Sequence, residues 1–393
     1  MPAALHEVFI LDFTRYQQGP FATMLLSDLG ARVLKVEEPE HGDLGRRWAT
    51  PTEGFADYFE AYNRNKRSLT LNLRSAEAKQ IVYKLVDQAD VVVENFRPGV
   101  MDRLELGYER LRAVNPRLIY AAASAFGPEG PLAQRPGFDH IAQAYGGIMV
   151  EQGGGPGREP VALQGGFADQ VSAMLLALAI STALYAREHE GTGQKVEVSL
   201  LGSQLIFQNR YLLNYLRTGK QPVRSTWRRS PTYTHYKTAD GYVAIAAVDP
   251  KHWPLLCEAI VMPALLRDPR FEEAWERDRN AAALTEILEA RFLEQSTGDW
   301  LNALIGQDVP CGPVQDYAAI AGDPQVLANH YIEEIDHPLV GPLRVPGVPI
   351  HMSGTPPIRP GPAPALGQNT EEVLLDLGYT WEAIEHLRDD RVI

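Results

Sequence analysis

Cysteine and positive charge are both scarce in this chain of 393 residues. Its two cysteines, Cys257 and Cys311, cannot form a disulfide framework and lack the spacing of metal ligands. The formal net charge at pH 7 is -13, whereas a nucleic-acid-binding protein gains most of its affinity from Lys and Arg side chains that neutralise phosphates. We therefore expect structural thiols in a reducing compartment and no nucleic-acid partner.

Signals for secretion and for crossing a membrane are also missing. The N-terminal residues MPAALHEVFI contain neither a basic segment nor a long apolar one, so they are not typical of a secretory signal. The most apolar stretch, residues 171–185, is interrupted by Ser172, Ser181 and Thr182. It is also shorter than the roughly 20 residues that cross a bilayer. We expect a cytoplasmic protein with no membrane partner, in which this stretch forms a buried helix.

Several kinds of catalytic site lack their usual sequence patterns. The ten histidines are scattered, whereas metal ligands cluster, so we expect no metal site. The chain has no G-x-S-x-G pattern to carry a nucleophilic serine. The segment FTRYQQGP, which follows the first predicted strand, lacks the spaced glycines of a nicotinamide-binding turn. These absences weigh against serine hydrolases, metalloenzymes and dehydrogenases.

The composition is that of a folded protein with an α/β pattern. Hydrophobic residues make up 45% and charged residues 22% of the chain, close to the average for globular domains. Short apolar strands alternate with helical segments, which predicts a Rossmann-like, mostly parallel sheet wound with helices. The predicted strands cover residues 8–13, 32–36, 90–93, 118–122 and 195–200, and the predicted helices cover residues 20–29, with Pro20 first, 75–87, 108–114 and one long helix that ends near residue 217.

Changes in composition along the chain predict two domains. A polar, basic stretch with Pro222 and Pro231 follows the first helices, and a Pro- and Gly-rich stretch lies near the C-terminus. The prediction is a large Rossmann-like domain over residues 1–216, a linker over 217–232, a smaller α+β domain over 233–325, a return linker over 326–366, and C-terminal helices over 367–393 that pack back on the large domain.

The stretch QGGFADQVSAM, residues 164–174, places Asp169 before an apolar helical run. Asp is among the best residues for capping a helix N-terminus, and a cap contributes about 0.5 to 2 kcal/mol. The alternative is a catalytic role. Gly165 and Gly166 leave room for a ligand, and a carboxylate with an ordinary pKa near 3.9 is a nucleophile at neutral pH without a partner base. Spacing alone favours the cap and leaves both roles open.

A set of basic residues stands out in this acidic chain: Arg64, Lys66, Arg67, Arg74, Arg97 and Arg103. Such a set near strand ends suits a phosphate-bearing ligand, and the alternative is a solvated surface of ion pairs. Gln17 follows the first predicted strand and could donate an amide N–H at the carboxyl edge of the sheet, where open α/β folds bind ligands. The residues alone do not decide between these possibilities.

Motifs along nearly the whole chain resemble the family III CoA transferases, the group that contains the formyl-CoA and carnitine CoA transferases. The resemblance rests on eight segments in order: LDFTRYQQGP, LGARVLKVEEPEHGD, NRNKRSLTLNLR, ADVVVENFRPGVMDRL, RPGFDHIAQAYGG, GGFAD, GTGQKVEVSL and VPCGPV. In that family the Asp that opens the helix after the glycine-rich loop is the nucleophile, and the matching position is Asp169. The resemblance implies that capping and catalysis coexist there.

The resemblance further implies covalent catalysis on an acyl-CoA and a small carboxylic acid. Asp169 would form a mixed anhydride and then an aspartyl-CoA thioester, and the Gln17 amide would orient or stabilise the oxyanion. Coenzyme A would be a substrate, with no tightly bound cofactor. By resemblance, the residues along which CoA lies are Asn72, Leu73, Arg74, Asn95, Phe96, Arg97 and Arg103.

The acceptor pocket is where the chain departs from the family pattern. Formyl-CoA transferases carry an Arg near Glu38 and a tetraglycine loop, near whose place this chain has WRRSPTY, residues 227–233. We expect Arg228 or Arg229 to bind the second carboxylate of a short dicarboxylate, with succinyl-CoA as a possible donor. The residues that we assign to this pocket are Trp48, Phe138, Asp139, Arg228 and Arg229.

The resemblance leaves two alternative functions to weigh, and it also implies a homodimer. An α-methylacyl-CoA racemase of the same fold would need a His where Phe138 stands, and Phe cannot accept a proton, so the sequence favours transfer. A non-catalytic CoA-binding protein would be expected to lack Asp169 or Gln17, and both are present. The resemblance also implies a homodimer of two interlocked open rings, with the active site between subunits.

Overall fold

The computed structural model describes residues 1–48, 55–221 and 230–393. The chain forms two compact units: Met1–Pro222 together with Leu327–Ile393, and Val223–Val326. The predicted linker over 217–232 lies partly outside the described residues. The stretch predicted as the return linker, 326–366, contains an antiparallel hairpin.

The first unit contains a six-stranded sheet in which every pair of neighbouring strands is parallel. Its order is β3-β2-β1-β4-β5-β6, which is the Rossmann order. The strands are β1 Phe9–Asp12, β2 Arg32–Glu37, β3 Arg67–Thr70, β4 Val91–Glu94, β5 Ile119–Ser124 and β6 Lys195–Ser199. The predicted fold class is confirmed. Strand order reverses between β1 and β4, so the loops after these two strands diverge and leave a crevice at the carboxyl edge.

The remaining strands form two small antiparallel sheets. In the second unit, β7 Tyr233–Lys237, β8 Tyr242–Ala246 and β9 Cys311–Pro313 lie in that order. In the first unit, β10 Ile332–His337 pairs with β11 Gly341–Pro346.

The helices surround these sheets. In chain order they are α1 Gln18–Asp28, α2 Asp57–Asn63, α3 Ala76–Gln88, α4 Val100–Arg103, α5 Tyr108–Val114, α6 Asp139–Tyr145, α7 Ile148–Gln152, α8 Phe167–Glu190, α9 Leu200–Phe207, α10 Asn209–Thr218, α11 His252–Ala259, α12 Ala274–Arg279, α13 Ala281–Phe292, α14 Thr297–Gly306, α15 Tyr317–Gly322, α16 Pro324–Ala328, α17 Thr370–Asp376 and α18 Trp381–Asp389. Short 3-10 helices cover Leu44–Arg47 and Pro263–Arg267.

Both faces of the large sheet are buried, because side chains alternate along each strand and helices cover both sides. In β1, Ile10 packs with α1 and α8, while Leu11 packs in the core that includes α3. Val373 and Leu374 of α17 pack in the same core as Leu11. The second unit has its own core, in which Tyr236 and Phe292 stack with ring centroids 4.8 Å apart.

The structure corrects two details of the predicted helices. Pro20 is the third residue of α1, which begins at Gln18. Proline is tolerated there because the first-turn N–H groups have no partner within the helix. The predicted long helix after β6 is two helices, α9 and α10, which meet at Gln208.

Helix α8 crosses the first unit and is buried on one face only. Among the described residues it is the one helix whose length and hydropathy would allow it to cross a membrane. Ala173, Leu176 and Ile180 pack against the sheet, as in a core helix of a globular domain, while Met174 and Leu178 are exposed. The prediction of a buried helix therefore holds for one face of α8.

Candidate active site

The loop after β1 is held by charged side chains that are almost completely buried. The Lys35 ammonium lies 2.9 Å from an Asp43 carboxylate oxygen and donates to the Thr14 carbonyl at 2.7 Å. Asp43 accepts from the backbone N–H of Tyr16 at 3.0 Å. A second buried pair is formed by Lys66 and Asp12, whose charged atoms lie 3.0 Å apart. These contacts fix the backbone that leads to Gln17.

The charges in this network offset the cost of their burial. Burial opposes the charge of Asp12, but Lys66 and Lys35 outweigh it and hold the pKa of that carboxyl well below its usual range. Burial lowers the pKa of Lys66 to about 8, and Asp12 limits the fall. Removing one partner of such a network leaves an uncompensated buried charge, which costs about 3 to 5 kcal/mol.

Asn95, at the end of β4, clamps the same loop. Its Oδ1 accepts from the Arg15 N–H at 2.8 Å, and its Nδ2 donates to the Arg15 carbonyl at 2.8 Å. Both ends of the amide are therefore engaged by Arg15. Asn95 therefore fixes the loop of the site, a role that the sequence analysis did not predict beside its contact with CoA.

Gln17 reaches across to the glycine pair before α8. Its Nε2 donates to the carbonyls of Gly165 and Gly166 at 3.2 and 3.3 Å. Gly166 has a φ of +69°, and a Cβ at this position would lie 2.2 Å from the Gln17 Oε1. Gly166 thus leaves room for the Gln17 side chain, while nothing lies within 4 Å of a Cβ added at Gly165.

Asp169 is the third residue of α8, and the prediction that it caps the helix is wrong. The N-cap is Gly166 in the left-handed conformation, with no side-chain cap of its own. Instead, Oδ1 of Asp139 accepts from the Ala168 N–H at 2.5 Å and from the Asp169 N–H at 3.4 Å. A carboxylate from α6 therefore caps the helix that carries Asp169.

The surroundings of Asp169 make its carboxyl less acidic than an ordinary Asp. Burial and then the charge of Asp139 raise the pKa of Asp169 to about 7. The ionised fraction therefore increases as the pH rises through neutrality. The expectation of an unperturbed carboxylate is corrected, because burial of its side chain could not be seen in the sequence.

A cavity of about 350 Å³ opens at Asp169. Four residues assigned to the site from the sequence line it besides Asp169: Asn95, Phe96, Arg97 and Phe138. The sequence prediction missed the other polar residues of this lining, which are Arg15, Tyr16, Gln18, Ser124 and Arg135. Arg15 and Gln18 flank Gln17 in the chain, so a search along the loop after β1 would have found them.

Aromatic rings form a wall beside this cavity. Trp48 stacks on Tyr58 with centroids 5.2 Å apart, and Tyr16 meets Trp48 and Phe138 edge to face at 5.8 and 5.5 Å. The charge of Asp169 contributes, after burial, to the raised pKa values of Tyr58 and Tyr62. Helix α2 therefore brings two tyrosines near Asp169 that the sequence prediction did not include.

A larger cavity, of about 1080 Å³, adjoins the first. Arg15, Leu44 and Phe96 line both cavities. The lining of the larger cavity contains most of the residues predicted to bind CoA, which are Asn72, Leu73, Arg74, Phe96 and Arg103. It also contains His41, Arg391 and Ile393, which the prediction missed. The C-terminal residues reach this cavity because the Asn72 N–H donates to the Val392 carbonyl at 2.8 Å.

The other basic residues singled out in the sequence form ion pairs. Arg64 pairs with the buried Asp28 at 2.6 Å, Lys66 pairs with Asp12, and Arg67 pairs with Glu372 at 2.9 Å. The ion-pair interpretation thus applies to the segment NRNKRS, whereas Arg74, Arg97 and Arg103 face the cavities.

Two further predictions concern the arginines of the acceptor pocket and a metal site. Arg228 and Arg229 lie outside the described residues. Within the described part of the chain, no group of three or more His, Cys, Asp or Glu side chains is arranged to hold a metal ion.

Comparisons with known proteins agree on one family. The family model described as CoA-transferase family III matches residues 5–370. The chain is 36% identical over 400 residues to succinyl-CoA:glutarate CoA-transferase of Mus musculus, covering 99% of this chain and 90% of the relative. It is 38% identical over 367 residues to acetyl-CoA:oxalate CoA-transferase of Acetobacter aceti, covering 92% of each.

A solved structure shares the same architecture. A CaiB/BaiF family protein from Brucella suis superposes with a TM-score of 0.84 at 35% identity, covering 96% of this chain and 100% of the other. The family match over nearly the whole chain and the identities above 30% lead to one conclusion. The chain belongs to CoA-transferase family III and is a CoA transferase whose substrates are CoA thioesters.

Proposed function

We propose that this enzyme moves CoA from an acyl-CoA donor to a free carboxylate through covalent intermediates on Asp169. The observation that carries the proposal is the placement of Asp169. Its partly buried carboxylate lines the smaller cavity, and that cavity shares Arg15, Leu44 and Phe96 with the larger one. An acyl group at Asp169 and a CoA chain in the larger cavity can therefore be joined past these three residues.

The reaction divides one exchange into four steps. An Asp169 oxygen attacks the thioester carbonyl carbon, the C–S bond breaks, and CoA leaves as the thiolate with a mixed anhydride behind. The thiolate attacks the Asp169 carbonyl carbon and releases the donor acid as a carboxylate, which leaves an aspartyl-CoA thioester. The acceptor carboxylate then repeats the two steps in reverse, so that CoA leaves on the new acid and Asp169 is restored.

Gln17 supports these steps through its amide. It donates to the carbonyls of Gly165 and Gly166 and so fixes the residues that begin α8. Each attack creates an oxyanion, and in other enzymes loss of one donor to such an oxyanion costs about 2.7 to 4 kcal/mol. We assign to Gln17 the orientation of the nucleophile and, once substrate displaces a glycine carbonyl, the donation of an N–H to the oxyanion.

The larger cavity suits the nucleotide part of CoA. Arg74, Arg103 and Arg391 line it and can donate to phosphate oxygens. Phe96 lines this cavity and also the smaller one, where the thioester would meet Asp169. The predicted contacts of Asn72 and Leu73 with CoA remain part of this proposal, supported by their place in the same lining.

A short dicarboxylate is the acceptor that the site supports best, with succinyl-CoA as the donor. The relatives named above act on glutarate and on oxalate, which both carry two carboxylates. One carboxylate of such an acceptor reacts at Asp169, and the other needs a cationic partner close by. Arg15, Arg97 and Arg135 line the cavity at Asp169 and can supply it. The contribution predicted for Arg228 or Arg229 stays a prediction, since both lie outside the described residues.

The proposal includes an interlocked homodimer in the cytoplasm. Three successive helices of the first unit expose large apolar side chains, which supports an interface with a second copy. The exposed apolar residues of α8, α9 and α10 are Met174, Leu178, Tyr185, Leu205, Ile206, Phe207, Tyr211, Leu213, Tyr215 and Leu216. Helix α10 has no buried residue at all.

Trapping of the covalent intermediate tests the reaction. The enzyme is mixed with succinyl-CoA and hydroxylamine, and its peptides are analysed by mass spectrometry. The expected result is a hydroxamate at Asp169 in the native enzyme and none in Asp169→Asn, which should also lose transfer to a panel of dicarboxylates and monocarboxylates.

The same experiment separates the alternatives. Turnover without modification of Asp169 would contradict the covalent mechanism. Exchange of the α-proton of an acyl-CoA in deuterated water, with no hydroxamate, would favour the racemase activity instead.

A further inference from the structure

We propose that Asp139 is a positioning residue for the transfer reaction: its carboxylate holds the first turn of α8 and keeps the Asp169 carboxylate reactive. This inference rests on the proposed role of Asp169 as nucleophile. It departs from the expectation that Asp139 contributes to the acceptor pocket.

The contacts of Asp139 use both of its oxygens as acceptors. Oδ1 accepts from the N–H groups of Ala168 and Asp169, and Oδ2 accepts from the Gln143 Nε2 at 2.7 Å. Gln143 is fixed in turn by Leu163, since its Oε1 accepts from the Leu163 N–H at 2.9 Å and its Nε2 donates to the Leu163 carbonyl at 3.0 Å. The orientation of the Gln143 amide is therefore set by the backbone.

This arrangement calls for a carboxylate at position 139. An Asn could accept from the N–H groups of α8 with its oxygen, but its NH₂ group would then face the NH₂ group of Gln143. Gln143 could turn its amide over only by losing both bonds to Leu163. Of the two side chains of this size and shape, only Asp satisfies both neighbours.

Asp139 takes the N–H groups that would otherwise act on Asp169. Free N–H groups in the first turn of a helix favour a nearby anion, and they would make the Asp169 carboxylate less basic. Here the Ala168 and Asp169 N–H groups donate to Asp139 instead. The charge of Asp139 adds repulsion, and burial and this charge both raise the pKa of Asp169.

The titratable groups around Asp169 come from several segments. Tyr58 and Tyr62 approach from α2, and Asp139 approaches from α6. The other charged residues that line the cavity at Asp169 are Arg15, Arg97 and Arg135. Among these groups, Asp139 is the one that brings negative charge at neutral pH, because tyrosine is neutral there.

The repulsion is relieved when the covalent intermediate forms. As the ionised acid, Asp169 is a charged group that is partly buried beside a second carboxylate. As an anhydride or a thioester it has no charge, and the negative charge leaves with the thiolate or the released acid. Asp139 thus raises the free energy of the reactant carboxylate relative to that of the acylated enzyme.

The test compares Asp139→Asn with the native enzyme across the pH range. The measured quantity is the rate of aspartyl-CoA formation in a single turnover at saturating succinyl-CoA. For the native enzyme we expect this rate to fall below a pH of about 7. In Asp139→Asn the negative charge is gone, so the acid limb should move to lower pH by roughly one unit, and the plateau at high pH should be lower because the nucleophile is less basic.

A second substitution and a matched control separate this role from a structural one. Asp139→Ser removes the charge together with the amide group that would face Gln143, so the acid limb should move in the same direction if Asp139→Asn does not fold. The control is Asp316→Asn, which removes the same charge from a carboxylate that caps α15 by accepting from the Ala319 N–H at 2.8 Å. Its acid limb should coincide with that of the native enzyme.

The outcomes distinguish the inference from the proposed function. If the native enzyme gives the Asp169 hydroxamate while the variants at Asp139 keep the native acid limb, the inference is overturned and the proposed function stands. A change in KM alone, with the acid limb in place, would likewise overturn it. If the native enzyme gives no adduct at Asp169, the proposed function and this inference are both wrong.

Discussion

At the residue scale, two carboxylates beside the first turn of α8 have different tasks. Both oxygens of Asp139 accept hydrogen bonds from N–H groups. Asp169 instead lines a cavity, and its surroundings raise its pKa. One thus stabilises the helix and the other is left basic. The same division extends to the glycines, because Gly166 makes room for Gln17 and Gly165 supplies a carbonyl that Gln17 bonds.

Gly166→Ala should reduce both activity and stability. An alanine at a φ of +69° costs about 1 to 2 kcal/mol, and its Cβ would lie 2.2 Å from the Gln17 side chain. Gln17 must therefore move, and we expect a loss of roughly 100-fold in kcat. Transfer assays together with denaturant unfolding provide the measurement.

Gly165→Ala is the matched control for that experiment. Gly165 has a φ of +85°, and nothing lies within 4 Å of the added Cβ. The control should lose about 1 to 2 kcal/mol of stability from backbone strain alone. Its loss in kcat should be smaller than that of Gly166→Ala, because the added Cβ does not meet the Gln17 side chain. Equal activity losses in both variants would refute the role assigned to the contact with Gln17.

At the element scale, the loop after β1 links the buried charges to the site. Tyr16 has a φ of +65°, which is unusual for a residue with a side chain. Asp43 accepts from its N–H, and Lys35 holds both Asp43 and the Thr14 carbonyl. The Lys35 network therefore stabilises a strained turn that places Gln17 beside the start of α8.

Lys35→Met should destabilise the first unit by about 3 to 5 kcal/mol, because Asp43 would be left buried without its partner. The measurement is the free energy of unfolding in urea, obtained from the unfolding transition of the first unit. Lys79→Met is the comparison, since Lys79 pairs at 2.6 Å with Glu105, whose side chain is 65% exposed. It should lose less than about 1 kcal/mol, and a similar loss in both variants would argue against the network.

At the scale of the whole molecule, the helices α8, α9 and α10 stand out for the large apolar side chains that they expose. Three helices in sequence present large apolar side chains on the surface of the first unit. Exposed apolar side chains in such numbers are typical of a protein interface when they form one patch. We relate it to the homodimer of the proposed function.

Leu178→Arg should weaken the dimer. Leu178 is 62% exposed on the outer face of α8, so the substitution disturbs no core contact, and it would place a charge inside the proposed interface. Sedimentation should show a shift toward monomer together with loss of transfer activity. Gln80→Arg, on the exposed side of α3, adds the same charge elsewhere and should leave the assembly unchanged; a dimer that tolerates both substitutions would contradict the interface.

The sequence by itself determined the sheet and the family. Apolar runs such as residues 90–93 and the helices between them are local patterns, and strands buried on both faces require such runs wherever helices cover a parallel sheet. The ordered motifs were sufficient to indicate CoA-transferase family III, which the comparisons confirmed. They also singled out Asp169 and Gln17, whose roles stay predictions.

Only the tertiary structure decided how the site is built. The partner of Gln17 is Gly166, 149 residues away in the chain, and the cap of α8 comes from Asp139 on α6. Arg391 reaches the larger cavity because the C-terminal segment bonds Asn72. Capping, burial and pKa depend on which groups meet in space. A preference for Asp near a helix start could therefore predict a cap but could not tell which of two carboxylates would form it.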